Sequence, residues 1–126
     1  MKLLLDTHIL LWWLANDPKL PGSAATAIAD GESLVAVSAA SAWEIAIKRA
    51  AGRLEAPDDL LGAIEANNFD ALSISPAHAL AAGALPAHHT DPFDRMLIAQ
   101  ARAEGLMVVT VDGRFSDYAV ELLPVA

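Results

Sequence analysis

The sequence predicts an α/β sandwich, a central parallel sheet covered by helices on both faces. Short apolar runs rich in leucine and valine alternate with longer helical segments, and each connection between them is short. The runs are continuously apolar rather than alternating, as strands buried on both faces are. No internal repeat or linker interrupts them, so residues 1–126 read as a single domain.

Leu3–Leu5 is too brief for a helix and reads as a buried strand with Asp6 at its end. Thr7 to about Ala15 is the first helix, closed by Asn16-Asp17-Pro18. A second helix spans roughly Ser23 to Asp30, with Gly31 placed as a C-cap glycine. Leu34–Val37 is the second strand. Ser38 and Ser41 both offer N-caps for a helix running to about Ala51, with Gly52 after it. Asp58 or Asp59 starts a further helix that fades at Asn67-Asn68, and Ala71–Ile74 is the third strand. Pro76 occupies a first helical position. Pro86 to Thr90 is a loop carrying His88 and His89. Asp91-Pro92 opens a long helix to about Glu104, ended by Gly105. Leu106–Val111 is the fourth strand, Asp112-Gly113 a turn, and Val120–Leu123 a short final strand.

Composition narrows the classes of function. With hydrophobic residues at 55% and no disordered tract, the chain is globular, and so high an apolar share suggests burial against another chain. The absence of cysteine excludes disulfides and thiolate metal sites and suits a reducing cytoplasm. No membrane span is visible, and Asp6 interrupts the opening apolar run too early for a signal peptide. The formal charge of −8 argues against nucleic-acid binding, unless carboxylates cluster around cations that cancel several of those charges.

Four acids suggest such a cluster. Asp6 and Asp112 fall at or just past the carboxyl ends of expected strands, where sites form in open α/β sheets. Glu44 and Asp94 are expected in the first turns of helices that follow strands, so all four meet at one sheet edge. Two carboxylates about 4 Å apart repel by about 4 kcal/mol at a surface-like dielectric, which a cation relieves. Oxygen-only ligands suit Mg²⁺ or Mn²⁺, and such ions support phosphodiester hydrolysis. Each acid also has a structural explanation. Asp6 caps the helix at Thr7, Glu44 stands at the capping-box spacing from Ser41, and Asp112 precedes a turn glycine. Asp91 reads as a pure N-cap, with Asp94 favoured by the helix dipole. Convergence at one edge favours a site.

The motifs resemble those of PIN domains, in particular VapC-type toxins of bacterial type II toxin–antitoxin systems. Met1-Lys2-Leu3-Leu4-Leu5-Asp6-Thr7-His8 is similar to the family's opening, and Ser41-Ala42-Trp43-Glu44-Ile45-Ala46-Ile47-Lys48 with Gly52-Arg53-Leu54 to its second acidic motif. His88-His89-Thr90-Asp91-Pro92-Phe93-Asp94-Arg95 and the residues to Ala101 resemble the third, the most specific stretch. Thr110-Val111-Asp112 with Phe115 resembles the fourth. The resemblance covers essentially the whole chain and implies a PIN-like α/β/α sandwich and a ribonuclease. It makes Asp6, Glu44, Asp94 and Asp112 the cluster holding Mg²⁺ or Mn²⁺, with Thr110 supporting the last aspartate. It also implies an RNA substrate, a cognate antitoxin and a homodimer.

Lys48, Arg53 and Arg95 are candidate RNA contacts, and Arg49 reads as solvated charge. Lys48 lies one turn beyond Glu44, so the two share a helix face. His8, His88 and His89 read as structural or substrate-contacting, because magnesium-type sites prefer oxygen. Ile9 to Leu14 is apolar all round and includes adjacent Trp12 and Trp13. Neighbours on a helix point about 100° apart, so one face is expected to meet a partner chain. The alternative is burial of both sides within the domain. A competing class is a receiver-like signalling or non-catalytic binding domain. A receiver needs paired acids after the first strand, an aspartate after the third and a lysine after the last. Here Asp6 stands alone, Ser75-Pro76 follow Ile74, and no lysine follows Lys48. An aspartyl-nucleophile phosphatase needs a second aspartate where His8 stands.

Overall fold

The structure is a computed structural model and describes residues 1–125. In chain order its elements are β1 (Lys2–Leu5), α1 (Thr7–Leu14), α2 (Gly22–Ala29), β2 (Leu34–Ser38), α3 (Ala39–Ala50) and α4 (Leu60–Ala66). They continue with β3 (Asp70–Leu72), α5 (Pro76–Ala84), α6 (Pro92–Glu104), β4 (Met107–Val109) and a 3-10 helix over Gly113–Asp117. The strands form one sheet in the order β3-β2-β1-β4, every pair parallel.

The pleat divides the core into two layers. Leu3 and Leu5 of β1, Val35 and Val37 of β2 and Val109 of β4 face α1, α2 and α4, packing with Ile9, Leu10, Ala24, Ile28 and Ile64. Leu4, Ala36 and Val108 point the other way, onto Leu97, Ile98 and Ala101 of α6 and Phe115 of the 3-10 helix. Leu3, Leu4 and Leu5 are all fully buried, which explains the unbroken apolar run. The chain places β2 and β3 on one side of β1 and then returns to place β4 on the other. The carboxyl end of β1 is therefore the switch point, and Asp6 stands there.

The helix ends follow local chemistry. Ser38, Asp59, Ser75 and Asp91 each accept a backbone N–H at the start of α3, α4, α5 and α6. At the other end of α6, Gly105 adopts φ 66°, the left-handed turn that glycine makes without a side-chain penalty. Asn16 and Asn68, at φ 51° and 57°, make the same turn beyond α1 and α4.

Several expectations require correction. Gly31 is not a left-handed cap: α2 stops at Ala29, and Asp30 Oδ1 turns the chain by accepting from Glu32 N–H. The third strand is shorter and earlier than Ala71–Ile74, and the fourth keeps only Met107–Val109. Val120–Leu123 pairs through a single parallel bridge, Val108 to Leu122, rather than as a strand. Asp112-Gly113 opens the 3-10 helix instead of a simple turn. Trp12 and Trp13 pack against the domain's own core, and Trp13 donates its indole N–H to Asn67 Oδ1 at 3.0 Å. Leu11, Trp12, Trp13 and Leu14 are each only half-buried, so the domain covers part of the apolar surface of α1 and leaves the rest exposed.

Candidate active site

Asp6 leaves β1 at the switch point and is 6% exposed. Its Oδ1 accepts from Thr7 N–H at 2.7 Å, capping α1, and its Oδ2 accepts from Thr110 Oγ1 at 2.7 Å. The capping role of Asp6 thus uses Oδ1, while Oδ2 is held by Thr110. Burial pushes the carboxyl above its usual range, against those hydrogen bonds, and the nearby Glu44 charge adds to the rise.

Glu44 sits in the second turn of α3 rather than the first, because Ser38 and not Ser41 caps that helix. The capping-box explanation of Glu44 lapses with that start point. The carboxylate is 4% exposed; its Oε1 accepts from Thr7 Oγ1 at 2.6 Å and its Oε2 meets Lys48 Nζ at 2.5 Å. Lys48 is thus tied to Glu44. Ser41, one turn before Glu44, is buried with no hydrogen-bond partner for its Oγ.

Asp94 is the third residue of α6, where Asp91 Oδ1 accepts from the N–H groups of Phe93 and Asp94 at 2.8 and 3.2 Å. Its Oδ2 lies 2.6 Å from His89 Nε2. Burial first, then the charge of Asp6, raises its pKa to about 7. Asp112 is more open. Its Oδ1 accepts from Arg114 N–H and Nε, and its Oδ2 from Arg114 Nη2 at 2.7 Å. That guanidinium holds the Asp112 carboxyl below the usual range.

Among the described residues, His89, Asp94 and Asp112 each offer a ligand atom within 4.8 Å of the others. Asp6 and Glu44 stand outside that tight group, yet Glu44 acts on the charge of Asp6 and Asp6 on that of Asp94. Thr110 joins the halves: it donates to Asp6 and accepts from Asp112 N–H at 3.0 Å, so it supports the first aspartate as well as the last. His89 was expected to be structural or substrate-contacting, and its 4% exposure and its bond to Asp94 place it inside the site. Its position ahead of Asp-Pro-Phe-Asp is the only signal that pointed there. Arg114 carried no signal beyond its closeness to Asp112.

The other candidates separate. Arg53 is exposed and has no ion pair among the described residues. Arg95, the third candidate RNA contact, is half-buried and turned toward backbone carbonyls. Its Nη1 and Nη2 donate to the carbonyls of Ala82, Leu85, Pro86 and His89. Those donors join the carboxyl end of α5 to the loop carrying His89, where a cation also suits the helix dipole. His8 and His88 rest against Trp12 and Tyr118 respectively.

The donor set fits a divalent cation. Burial and mutual charge make ionising Asp6 and Asp94 costly, a cost that a bound cation would relieve, and carboxylate oxygens suit Mg²⁺ or Mn²⁺. The hydrogen bond between His89 Nε2 and Asp94 Oδ2 fixes the direction of that carboxyl and leaves its Oδ1 for a cation.

Three comparisons bear on this geometry. The PIN domain family model matches residues 3–121. Ribonuclease VapC22 of Mycobacterium tuberculosis (strain ATCC 25618 / H37Rv) is 33% identical over 118 residues, covering 91% of this chain and 90% of the relative. Two solved structures share the fold. One is VapBC2 from Rickettsia felis bound to a DNA fragment from their promoter, with TM-score 0.70, 16% identity and coverage of 98% of each chain. The other is DNA-bound VapBC from Salmonella typhimurium, with TM-score 0.69, 20% identity, and coverage of 97% of this chain and 96% of that one. A family match across nearly every residue, on a parallel sheet with its acids at the switch point, establishes that the chain belongs to the PIN domain family.

Proposed function

We propose that this chain is a metal-dependent endoribonuclease, the toxin of a type II toxin–antitoxin pair. The observation that carries this reading is the buried acidic centre at the switch point, with Asp6 and Asp94 both held above the ordinary carboxylate range. A relative 33% identical to the chain is a ribonuclease, and another structural neighbour is a toxin–antitoxin complex from Klebsiella pneumoniae.

In this reading Asp6, Glu44, Asp94 and Asp112 hold Mg²⁺ or Mn²⁺. Such an ion, when bound, makes its water a nucleophile and neutralises charge on the phosphodiester. The residues around it do the positioning. Thr110 fixes Asp6 against Asp112, His89 directs Asp94, and Thr7 and Lys48 hold Glu44. Arg53, exposed and without an ion pair among the described residues, is the candidate contact to RNA, whereas Lys48 is tied to Glu44. An antitoxin and a second copy of the chain are the protein partners. Leu11, Trp12, Trp13 and Leu14 of α1, each only half-buried, are the candidate apolar surface for them.

Cleavage of total RNA with and without EDTA tests the reading. Metal-dependent cleavage that Asp6→Asn abolishes, with the fold intact by circular dichroism, is the expected result. Cleavage that persists in EDTA, or in the Asp6 variant, overturns it. Sedimentation of the isolated chain as a dimer is expected, and a monomer at all concentrations removes the homodimer.

A further inference from the structure

The most exposed of the tryptophan, tyrosine and phenylalanine side chains is next in sequence to an acid of the candidate site. Trp43 is 64% exposed, although it directly precedes the buried Glu44 on α3. Its ring meets that of Phe93, which directly precedes the buried Asp94 on α6, at 5.5 Å between centroids and 79° between planes. The two helices that carry Glu44 and Asp94 thus also bring the aromatic residues preceding those acids together. An edge-to-face pair is a favourable and rigid arrangement, and it leaves most of the indole open to solvent. Nothing in the domain's core explains so large an apolar group in that position.

We infer that the Trp43–Phe93 pair is a stacking platform for an unpaired base of the RNA, adjacent to the bond that is cut. This rests on the ribonuclease reading above and adds a substrate subsite to it. Charge favours a base as the occupant. The chain carries −8 overall, Lys48 is committed to Glu44, and Arg95 is committed to backbone carbonyls. Phosphate neutralisation, which usually supplies nucleic-acid affinity, has few cations to work with here. Stacking on an aromatic ring needs no cation and accepts any base. Because each ring directly precedes a carboxylate of the site on its helix, a strand whose phosphate lay over those carboxylates would bring a neighbouring base toward the platform.

The test compares a short single-stranded oligoribonucleotide with versions lacking the base on either side of the cleaved bond. In wild type, removal of one of those bases is expected to lower kcat/KM about tenfold, the order expected for loss of one base–aromatic stack. Trp43→Ala should cut the complete and base-deleted strands equally, at the lower value, with Mn²⁺ affinity unchanged. Trp43→Tyr should restore the difference, and Ile47→Ala, one turn along, should leave it intact. The proposal is overturned if Trp43→Ala keeps the full preference. It is also overturned if Trp43→Ala and Ile47→Ala both convert a dimer to a monomer without touching the preference, which would assign the face to a second copy. Failure of wild type to cut any RNA would remove the ribonuclease reading itself, whereas normal cutting by Trp43→Ala removes only the platform.

Discussion

Asp94 concentrates the chemistry of the site, because its protonation and its direction are both set by named neighbours. Burial and the Asp6 charge hold its pKa at about 7, and His89 sits 2.6 Å from one oxygen. A carboxyl with a raised folded-state pKa keeps its proton where the unfolded chain has lost it. Its contribution to stability is therefore complete below the ordinary carboxylate pKa and is lost as pH rises toward 7. Without metal, the wild-type melting temperature should fall over that window, and Asp94→Asn should flatten the decline. Mn²⁺ competes for the deprotonated form, so calorimetric affinity should climb with pH through about 7 and level off above it. A flat affinity profile across that range sinks the assignment. Asp94→Asn should also abolish RNA cleavage, while Asp91→Asn keeps it, since asparagine supplies the same Oδ1 to the N–H groups of Phe93 and Asp94. Loss of activity in the Asp91 variant would mean that the wrong aspartate of Asp-Pro-Phe-Asp has been assigned.

The loop between α5 and α6 carries His89 into the site and has no sheet to rest on. Arg95 holds it instead. Its guanidinium reaches the last carbonyls of α5 and, beyond them, those of Pro86 and His89, where Tyr118 Oη also donates to Pro86 O at 2.7 Å. Arg95→Ala should cost about 2 kcal/mol in urea unfolding, the order of one or two charge-assisted hydrogen bonds. Arg95→Lys should recover little, because an ammonium cannot bridge acceptors on both sides of the loop. Recovery of full stability by lysine would show that charge alone matters there. This is also where reading from sequence reaches its limit. The apolar runs and the caps at Ser38, Asp59 and Asp91 are local signals, so strands, helices and their order were legible in advance. The inward turn of Arg95, the partnership of His89 with Asp94 and the hold of Arg114 on Asp112 depend on how loops fold back, which no spacing reports. The length of the last strand failed for a similar reason. Val120–Leu123 has the apolar content of a strand but pairs with Val108 through only one bridge.

The four acids come from chain positions 6, 44, 94 and 112, on segments that meet only when the sheet is complete. A cation bound by them joins the ends of β1, α3, α6 and the stretch after β4, so its binding energy acts on the folding of the whole domain. The unfolded chain, with those residues far apart, offers no comparable site. Saturating Mn²⁺ should therefore shift the entire unfolding transition in a single cooperative step. A hundredfold excess over the dissociation constant adds about 2.7 kcal/mol, which for a domain of this size is about 10 °C in melting temperature. Asp6→Asn separates repulsion from ligation. The variant keeps an oxygen to accept from Thr7 N–H or Thr110 but loses the charge that opposes Asp94, so its metal-free form should melt slightly above wild type. With Mn²⁺ present the order should reverse, because the variant has lost a ligand and gains little. Scanning calorimetry of both proteins, with EDTA and with millimolar Mn²⁺, reads all four states. A metal-free variant no more stable than wild type would show that carboxylate repulsion costs the fold nothing. A wild-type transition that ignores the metal would mean these acids do not form a cation site at all.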